Sequence, residues 1–484
     1  MLEATDISFS YDGTQQILDH INITLKPGEL VVITGPTGSG KSTLAKYLSG
    51  FIPRSIHGHL SGSLSIDGAD VSDLPISEYS RKVALVQQDV ESQLNTLLVK
   101  DEIAFGPENY LVERDDIRNL VSTSLASVGA EHLIERPTFA LSGGEKQRIV
   151  IASMLACRPE YLILDEPSAS LDPKGVQMLC QVLLTMKKMG LGIICIEHRL
   201  NAILAIADRA LRISDGSISP YDINRPRTNP WVAGSSERLT AGKPVLSADQ
   251  VSFAYDENWA VSNASLTLHQ GEIVALMGNN GSGKSTLVNL LGGILKPHKG
   301  SIYLDGTPLN TFSRRQITSD IAMVFQNPNH QIFERTVWKE QNLIHDVLDS
   351  EDEESIMRSE NSLKTANLLD FKERNPFSLS HGQKRRLNIS AVSVHEPRIL
   401  LLDEPFLGQD ARGRRFITQK IDNIAQNDGL VVVVTHDSSF AINHSNRIIF
   451  MKKGEVLLDG TPQSVLTRLE TLGHDEYNNL EGNL

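Results

Sequence analysis

The sequence predicts an α/β chain made of two tandem domains, each with a mostly parallel sheet at its core. First, the same ordered set of motifs occurs twice along 484 residues, a length that exceeds one ordinary core. Second, short runs of consecutive apolar residues, such as LVVIT at 30–34 and GIICI at 192–196, are typical of strands buried on both faces of a sheet. Third, a glycine-rich G-x-x-x-x-G-K-S segment stands between such a strand and a helix-forming stretch in each copy.

The repeat sets the domain boundaries. GPTGSGKST begins at Gly35 and GNNGSGKST begins at Gly278, and the later landmarks keep one common offset that pairs Asp165 with Asp403. The first copy holds extra residues between positions 50 and 68, which we interpret as a loop insertion. The segment between the copies is rich in Pro, Gly, Ser and Asn, as linkers are. We therefore place domain 1 at 1–221, a linker at 222–245 and domain 2 at 246–484.

The composition disfavours several classes of protein. A formal net charge of -13 is unfavourable for a protein whose main partner is a nucleic-acid backbone, because phosphate binding requires a concentrated basic face. Cys157, Cys180 and Cys195 show no paired spacing of a metal site or disulfide framework, so we expect reduced thiols. The sequence shows neither an apolar run long enough to cross a bilayer nor a secretory signal pattern. We expect a cytosolic chain unless a partner holds it at a membrane.

Both glycine-rich segments have the pattern of a phosphate-binding loop. Glycines let the backbone turn tightly, so that successive N–H groups point at phosphate oxygens, and the following helix contributes its N-terminal dipole. The lysine is expected against the β- and γ-phosphates, and the serine after it is expected to reach Mg²⁺. The alternative, a glycine-rich turn without a ligand, is disfavoured by two matches in the same context. The residues predicted to bind nucleotide are Gly35, Gly38, Gly40, Lys41, Ser42 and Thr43 in the first copy, and Gly278, Gly281, Gly283, Lys284, Ser285 and Thr286 in the second.

An Asp-Glu-Pro triplet follows a buried apolar strand in each copy. The carboxylate at the strand end, Asp165 or Asp403, can bind Mg²⁺ directly or through its water. The next residue, Glu166 or Glu404, points to the opposite face of the strand end and can orient the attacking water. A surface acidic pair is the alternative, but the recurrence favours a functional pair.

A histidine follows the next apolar strand in each copy, His198 in CIEHRL and His436 in VVTHD. Such a histidine can donate a hydrogen bond to the γ-phosphate and sense its loss. Alone, either one would be interpreted as structural. Their equal spacing from the Asp-Glu-Pro triplet favours the functional interpretation.

With these motifs in place, the chain resembles two ATP-binding cassette ATPase domains fused in one polypeptide. LSGGEKQR at 141–148 is similar to the signature helix of that family, and LSHGQKRR at 379–386 repeats it with His381 in place of a glycine. The resemblance implies an antiparallel β subdomain and a helical signature subdomain beside each parallel core. It implies ATP and Mg²⁺ as cofactors, and head-to-tail packing in which each ATP lies between the P-loop of one domain and the signature of the other. The signature residues implied at the γ-phosphate are Ser142, Gly143 and Gly144 in the first domain, and Ser380 and Gly382 in the second.

The resemblance assigns four further residues. Tyr11 in FSYDG and Tyr255 in FAYDE resemble the aromatic residue that stacks on adenine, although each could also be an ordinary strand aromatic. Gln88 in LVQQD and Gln326 in MVFQNP match the glutamine of the loop that touches Mg²⁺, called the Q-loop below. A single glutamine carries no signal, but the fixed place between P-loop and signature supports the assignment.

Three features favour a transport ATPase over ribosome-directed or DNA-repair cassettes: a short linker, the lack of a zinc-type cysteine cluster in the sequence, and an acidic net charge. The segment QQDVESQLNTLLVKDEIAFGPEN at 87–109, which includes Gln93, resembles the ATPases of energy-coupling factor (ECF) importers, which take up vitamins and metal ions. The second half keeps Gln331 but departs at VWKEQNLIH, so we expect the halves to differ. The alternative interpretation of 99–109 is an ordinary surface loop and helix.

The resemblance implies a peripheral ATPase at the cytoplasmic face of the cell membrane. Its partners would be integral-membrane transporter subunits, an energy-coupling transmembrane component and a substrate-binding component, and no nucleic acid is expected. The solute would be a metal ion or a vitamin, with thiamine or its pyrimidine precursor suggested by similarity to fused examples. The alternative is a soluble twin-cassette ATPase that acts on ribosomes or nucleic acid.

The departures from the repeat fall in the second half. One is His381, and the other is FLGQD at 406–410, where the first half has SASLD at 168–172. Head-to-tail packing assigns both departures to the site that contains Lys41 and Glu166. We therefore predict that this site mainly holds ATP, while the site with an intact signature supplies most of the turnover.

Overall fold

A computed structural model describes residues 1–36, 38–169, 171–197, 201–223, 242–350, 352–474 and 477. The chain divides into two compact units, Met1–Pro226 and Arg227–Leu484. The predicted fold class, two tandem α/β domains, is confirmed. The predicted linker falls mostly on 224–241, which lie outside the described residues, so its bounds stay a prediction.

Unit 1 contains one antiparallel and one mostly parallel sheet. Its strands are β1 Leu2–Ser10, β2 Leu18–Leu25, β3 Leu30–Thr34, β4 His59–Ile66, β5 Ala69–Asp70, β6 Val83–Val86, β7 Tyr161–Asp165, β8 Gly192–Ile196, β9 Arg209–Ser214 and β10 Ser217–Pro220. The antiparallel sheet has the order β2-β1-β4-β5, and the second sheet has the order β10-β9-β3-β8-β7-β6, with β10 running antiparallel. Parallel pairing brings the carboxyl ends of β3, β6, β7 and β8 to one edge, where ligands bind in sheets of this kind.

The helices of unit 1 cover both faces of the parallel sheet. They are α1 Lys41–Leu48, α2 Phe51–Arg54, α3 Ile76–Tyr79, α4 Val99–Asn109, α5 Arg114–Ser127, α6 Gly143–Ala156, α7 Pro173–Lys188 and α8 Asn201–Leu204. Leu30 and Val32 of β3 pack into one apolar cluster, and Val31 and Ile33 pack into the other. This double burial explains why LVVIT is apolar at consecutive positions.

Unit 2 repeats the two-sheet plan. Its strands are β11 Pro244–Tyr255, β12 Asn258–His269, β13 Ile273–Gly278, β14 Lys299–Leu304, β15 Thr307–Pro308, β16 Ile321–Val324, β17 Ile399–Asp403, β18 Leu430–Val434, β19 Arg447–Lys452 and β20 Glu455–Gly460. The antiparallel sheet has the order β12-β11-β14-β15, and the mostly parallel sheet has the order β16-β17-β18-β13-β19-β20.

Most helices of unit 2 have a counterpart in unit 1. They are α9 Lys284–Leu291, α10 Arg314–Asp320, α11 Val337–Leu348, α12 Glu353–Thr365, α13 His381–Ser393, α14 Ala411–Gln426, α15 Ser438–His444 and α16 Pro462–Thr471. α11 takes the place of α4, although VWKEQNLIH does not repeat the sequence at 99–109. Across the residues that the structure describes, none of the helices combines the length and apolar character needed to cross a bilayer.

The extra residues of the first copy form a short insertion that packs against unit 1. They contain α2, and its last residue, Arg54, donates to the carbonyls of Leu74 and Val71 at 2.6 and 2.5 Å. The guanidinium also lies 4.7 Å from the ring centroid of Tyr79. These contacts satisfy the arginine and hold the insertion against the body of unit 1.

Candidate active sites

The two P-loops share one geometry. Lys41 lies over the first loop and donates to two of its carbonyls, at 2.9 and 2.8 Å. Lys284 does the same in the second loop, at 2.8 and 2.9 Å. Gly40 has φ of 100°, and a β-carbon there would lie 2.7 Å from the carbonyl of Ile17, so the position requires glycine. At Gly38, by contrast, a β-carbon would meet nothing within 4 Å, which leaves space beside the loop.

The predicted Mg²⁺ carboxylates lie at the ends of central strands. Asp165 ends β7 and is buried, with the hydroxyl of Ser42 near its carboxylate. Burial raises the pKa of Asp165 to about 6, and the hydroxyl of Ser42 opposes that rise. Asp403 ends β17 with Ser285 in the same relation, and burial again raises its pKa.

Buried oxygen atoms at these positions fit Mg²⁺ and phosphate. Among the described residues, one carboxylate oxygen of Asp165 and one of Asp403 are buried without a hydrogen-bond partner, as are the hydroxyls of Ser39 and Ser282 in the P-loops. A buried polar atom without a partner is unfavourable, so such a set is suited to a ligand that supplies the missing contacts. Bound there, Mg²⁺ would neutralise charge that develops on the phosphate oxygens. In the first cassette Asp165 and Ser42 would hold the ion. In the second cassette Asp403 and Ser285 would do so.

The glutamates that follow these aspartates are held in an unusual backbone conformation. Glu166 has φ of 52° and Glu404 has φ of 48°, a region that side chains other than glycine rarely adopt. The backbone N–H of each donates to the end of the neighbouring strand, to Ile196 at 2.9 Å and to Val434 at 3.0 Å. At this edge of the sheet, the backbone of both glutamates therefore leaves the extended conformation of the preceding strand.

Each glutamate contacts another predicted site residue of its own unit. The amide of Gln88 donates to Glu166 at 2.9 Å, which joins the Q-loop to the proposed water-orienting carboxylate. In unit 2, Nε2 of His436 lies 3.3 Å from a carboxylate oxygen of Glu404 and 3.1 Å from Oδ1 of the P-loop residue Asn280. His198, the predicted counterpart of His436 in unit 1, lies outside the described residues.

The two candidate adenine-stacking tyrosines have similar surroundings. Tyr11 and Tyr255 are exposed, and each ring stands edge-on to a phenylalanine, Phe9 at 4.9 Å and Phe253 at 5.0 Å between centroids. The hydroxyl of Tyr11 lies 3.2 Å from that of Thr43, after the P-loop. An exposed ring fixed beside the P-loop is suited to stack on a nucleobase.

The helix that begins in the second octapeptide, LSHGQKRR at 379–386, has a regular start despite His381. Ser142 caps α6 and Ser380 caps α13, each through a reciprocal capping box with the residue three positions on. His381 is the first residue of α13, so it replaces a glycine without disturbing the cap. Any effect of the substitution must therefore come from the imidazole side chain.

Gln93 and Gln331, the two glutamines noted in the comparison with importer ATPases, form hydrogen bonds inside the Q-loops. Gln93 accepts from the backbone N–H of Gln87 at 2.7 Å and donates to the carbonyl of Leu85 at 3.0 Å. Gln331 makes the same pair of bonds in unit 2, at 2.9 and 2.7 Å. Both side chains close the loop onto the preceding strand, a role that no local sequence pattern indicates.

Sequence reasoning also missed a buried glutamate that is common to α4 and α11. Glu102 accepts from the backbone N–H groups of Asn95 and Thr96 at 2.9 and 2.8 Å, and from the Thr96 hydroxyl at 3.0 Å. Glu340 accepts from two backbone N–H groups at 2.9 and 2.8 Å. The signal was present, because both glutamates occupy the same place in the repeat.

Tyr477, which follows α16 in the chain, contacts the P-loop of unit 2. Tyr477 is fully buried, its hydroxyl donates to Oδ1 of Asn279 at 2.7 Å, and its ring stands edge-on to Phe450 at 5.1 Å. Nothing in the sequence around Tyr477 indicates this contact.

The region around α4 presents apolar side chains to solvent. Leu97, Phe105 and Phe139 are exposed, and the backbone N–H of Thr138 donates to the carbonyl of Leu97 at 3.0 Å. We call Leu97, Phe105 and Phe139 the apolar trio. Pro107, in the same FGPEN sequence, is buried and packs within unit 1.

Fold and site together define a P-loop NTPase with two nucleotide sites of one plan. A family model described as ABC transporter matches residues 18–169 and 261–407. The chain belongs to this family of ATP-binding cassette proteins. It is therefore an ATPase, and ATP with Mg²⁺ is confirmed as its ligand set.

Relatives match along nearly the whole chain. One from Methanosarcina mazei, which carries the name of an ABC transporter ATP-binding protein, is 32% identical over 98% of this chain and 91% of its own. One from Treponema denticola with the same name is 31% identical over 95% of this chain and 96% of its own. A model of ribosome-bound archaeal Pelota and ABCE1 matches 97% of this chain and 81% of that chain with a TM-score of 0.69, and its 20% identity limits the likeness to the fold.

Proposed function

We propose that the chain is the ATPase subunit of an ECF-type membrane importer, held at the cytoplasmic face of the cell membrane by integral-membrane subunits. The apolar trio beside the first Q-loop is the observation that carries the proposal. Leu97 is 73% exposed and Phe105 is 45% exposed, and exposed apolar side chains of this size are suited to burial against a partner. Gln88 of the same Q-loop donates to Glu166. A surface that connects docking residues to a catalytic carboxylate is what coupling of ATP hydrolysis to a partner requires.

The partners of this proposal are an energy-coupling transmembrane component and a substrate-binding component. The solute is a vitamin or a metal ion, selected by the membrane subunits. In each cassette Lys41 or Lys284 neutralises phosphate charge, and Glu166 or Glu404 orients the attacking water. ATP binding at two composite sites, each completed by the signature of the other cassette, would close the pair, and hydrolysis would reopen it.

Cell fractionation tests the proposal. The wild-type chain should sediment with membranes, and replacing the apolar trio with serine should release it while the ATPase rate of the purified chain stays within about twofold, since exposed substitutions change stability little. Met189→Ser is a matched control, because Met189 is equally exposed at the end of α7. Recovery of the wild-type chain with ribosomes instead would favour the alternative, a twin-cassette ATPase that acts there.

A further inference from the structure

The second signature helix carries a buried arginine where the first carries glutamine. Arg385 of α13 is 0% exposed. One end of its guanidinium donates to the carbonyls of Phe325 at 3.2 Å and Asp403 at 3.0 Å, and the other end donates to the carbonyl of Gln326. A single side chain thus joins α13 to the Q-loop and to the end of β17.

The first cassette has no equivalent tie among its described residues. Gln147 occupies the matching place in α6, is 3% exposed, and has a side-chain amide nitrogen without a hydrogen-bond partner in that part of the chain. The glutamine side chain is shorter than that of arginine, and its neutral amide has fewer N–H groups than the five that guanidinium offers in a planar fork. Glutamine therefore cannot bond carbonyls on two loops at once. The two cassettes therefore differ in how the signature helix is attached to the nucleotide-binding core.

A neighbouring arginine strengthens the same attachment. Arg386 donates to the carbonyl of Ala366 at 3.0 Å and to the side chain of Gln409 at 3.4 Å. Gln409 in turn donates to the carbonyl of Gly382 at 3.0 Å. In the first cassette Leu171 stands in place of Gln409, and Arg148 is directed to the carbonyl of Gly129 at 2.8 Å. The departure at FLGQD is therefore part of a polar connection to α13.

Acidic groups nearby offset part of the effect of burying the arginine. Desolvation lowers the pKa of Arg385 to about 10, and the charges of Asp403 and Glu404 act in the opposite direction. The guanidinium therefore stays charged at neutral pH. Breaking the contacts of a buried charge is strongly destabilising. These contacts therefore hold the guanidinium in one defined position.

We propose that Arg385 is a positioning residue for the Mg²⁺ site of the second cassette. By holding the backbone at Gln326 and Asp403, it fixes two of the three proposed Mg²⁺ ligands relative to each other and to α13. The inference concerns nucleotide binding by this cassette and does not depend on the transport role, which is tested by a separate fractionation experiment.

The test uses the full chain with the first P-loop disabled by Lys41→Ala, so that nucleotide binding reports the second P-loop. Arg385→Gln introduces the residue of the first cassette. The Mg²⁺ concentration that gives half of the metal-dependent gain in ATP binding should rise roughly tenfold or more, as is usual when residues behind metal ligands are changed. ATP binding without Mg²⁺ should change much less, because the P-loop is untouched.

Two further variants keep the result decisive. Gln147→Ala in a Lys284→Ala chain is the matched control, and it should leave the Mg²⁺ midpoint of the first P-loop unchanged. Arg385→Lys keeps the charge but cannot bond both loops, so its midpoint should lie between those of wild type and Arg385→Gln. It also decides the question if Arg385→Gln fails to fold. An unchanged midpoint in the folded variants, or equal loss of binding with and without Mg²⁺, would overturn the proposal.

Discussion

Replacing Glu102 with glutamine should loosen the loop that carries the first residue of the apolar trio. The carboxylate of Glu102 accepts from the backbone N–H groups of Asn95 and Thr96, the two residues that directly precede Leu97 in the chain. Hydrogen bonds to a charged acceptor are roughly twice as strong as neutral ones and contribute about 1.5–3 kcal/mol each. An amide keeps one acceptor oxygen but loses the charge. We therefore expect a loss of about 1–2 kcal/mol in the local opening free energy, allowing for non-additivity.

Hydrogen–deuterium exchange of the peptide that spans 94–98 measures this loss. A change of 1–2 kcal/mol corresponds to exchange that is roughly 5- to 30-fold faster at Asn95 and Thr96. Glu108→Gln is the control, because Glu108 lies on the same helix and is exposed. Protection that is unchanged in Glu102→Gln would show that the buried carboxylate does not hold the loop, and the same role for Glu340 would fail with it.

Three further outcomes are expected. Tyr477→Phe keeps the ring against Phe450 but loses one hydrogen bond to Asn279, so ATP affinity of the second P-loop should fall by roughly 2- to 12-fold in a Lys41→Ala chain; equal affinity would leave Tyr477 as a packing residue only. Gly40→Ala should lower the melting temperature of the chain more than Gly38→Ala, since only the former meets a carbonyl, and a reversed order would contradict the loop geometry. The double variant Glu166→Gln, Glu404→Gln should bind two ATP per chain at equilibrium, and a firm stoichiometry of one would refute binding by both cassettes.

The elements that short patterns specify could be predicted from the sequence. LVVIT is apolar at every position because β3 is buried on both faces, and Gly40 and Gly283 stand where a side chain would meet a backbone carbonyl. The sequence predicted Mg²⁺ contacts for Asp165 and Ser42 separately, and parallel strands bring the ends of their motifs to one edge. These features depend on local geometry, and the repeat made each of them visible twice.

Residues that act through distant backbone atoms could not be predicted in this way. Arg385 bonds carbonyls about sixty positions away along the chain, and Tyr477 meets the P-loop from the opposite end of unit 2. Glu102 reads as one acidic residue among several on α4, and only burial separates it from its exposed neighbours. Pro107 belongs to the importer-like FGPEN sequence but is buried inside the unit, which the sequence did not indicate.

Steady-state ATPase rates of Glu404→Gln and Glu166→Gln test most directly whether the two cassettes have unequal roles. His381 and the polar connection through Gln409 both belong to the signature that we propose completes the site of Lys41 and Glu166. A positioned base contributes on the order of 10²–10⁴ in rate, so either variant silences its own site. Glu404→Gln should then nearly abolish hydrolysis, whereas Glu166→Gln should keep a measurable share. Equal losses, or a larger loss in Glu166→Gln, would contradict unequal cassettes and leave His381 as a tolerated substitution.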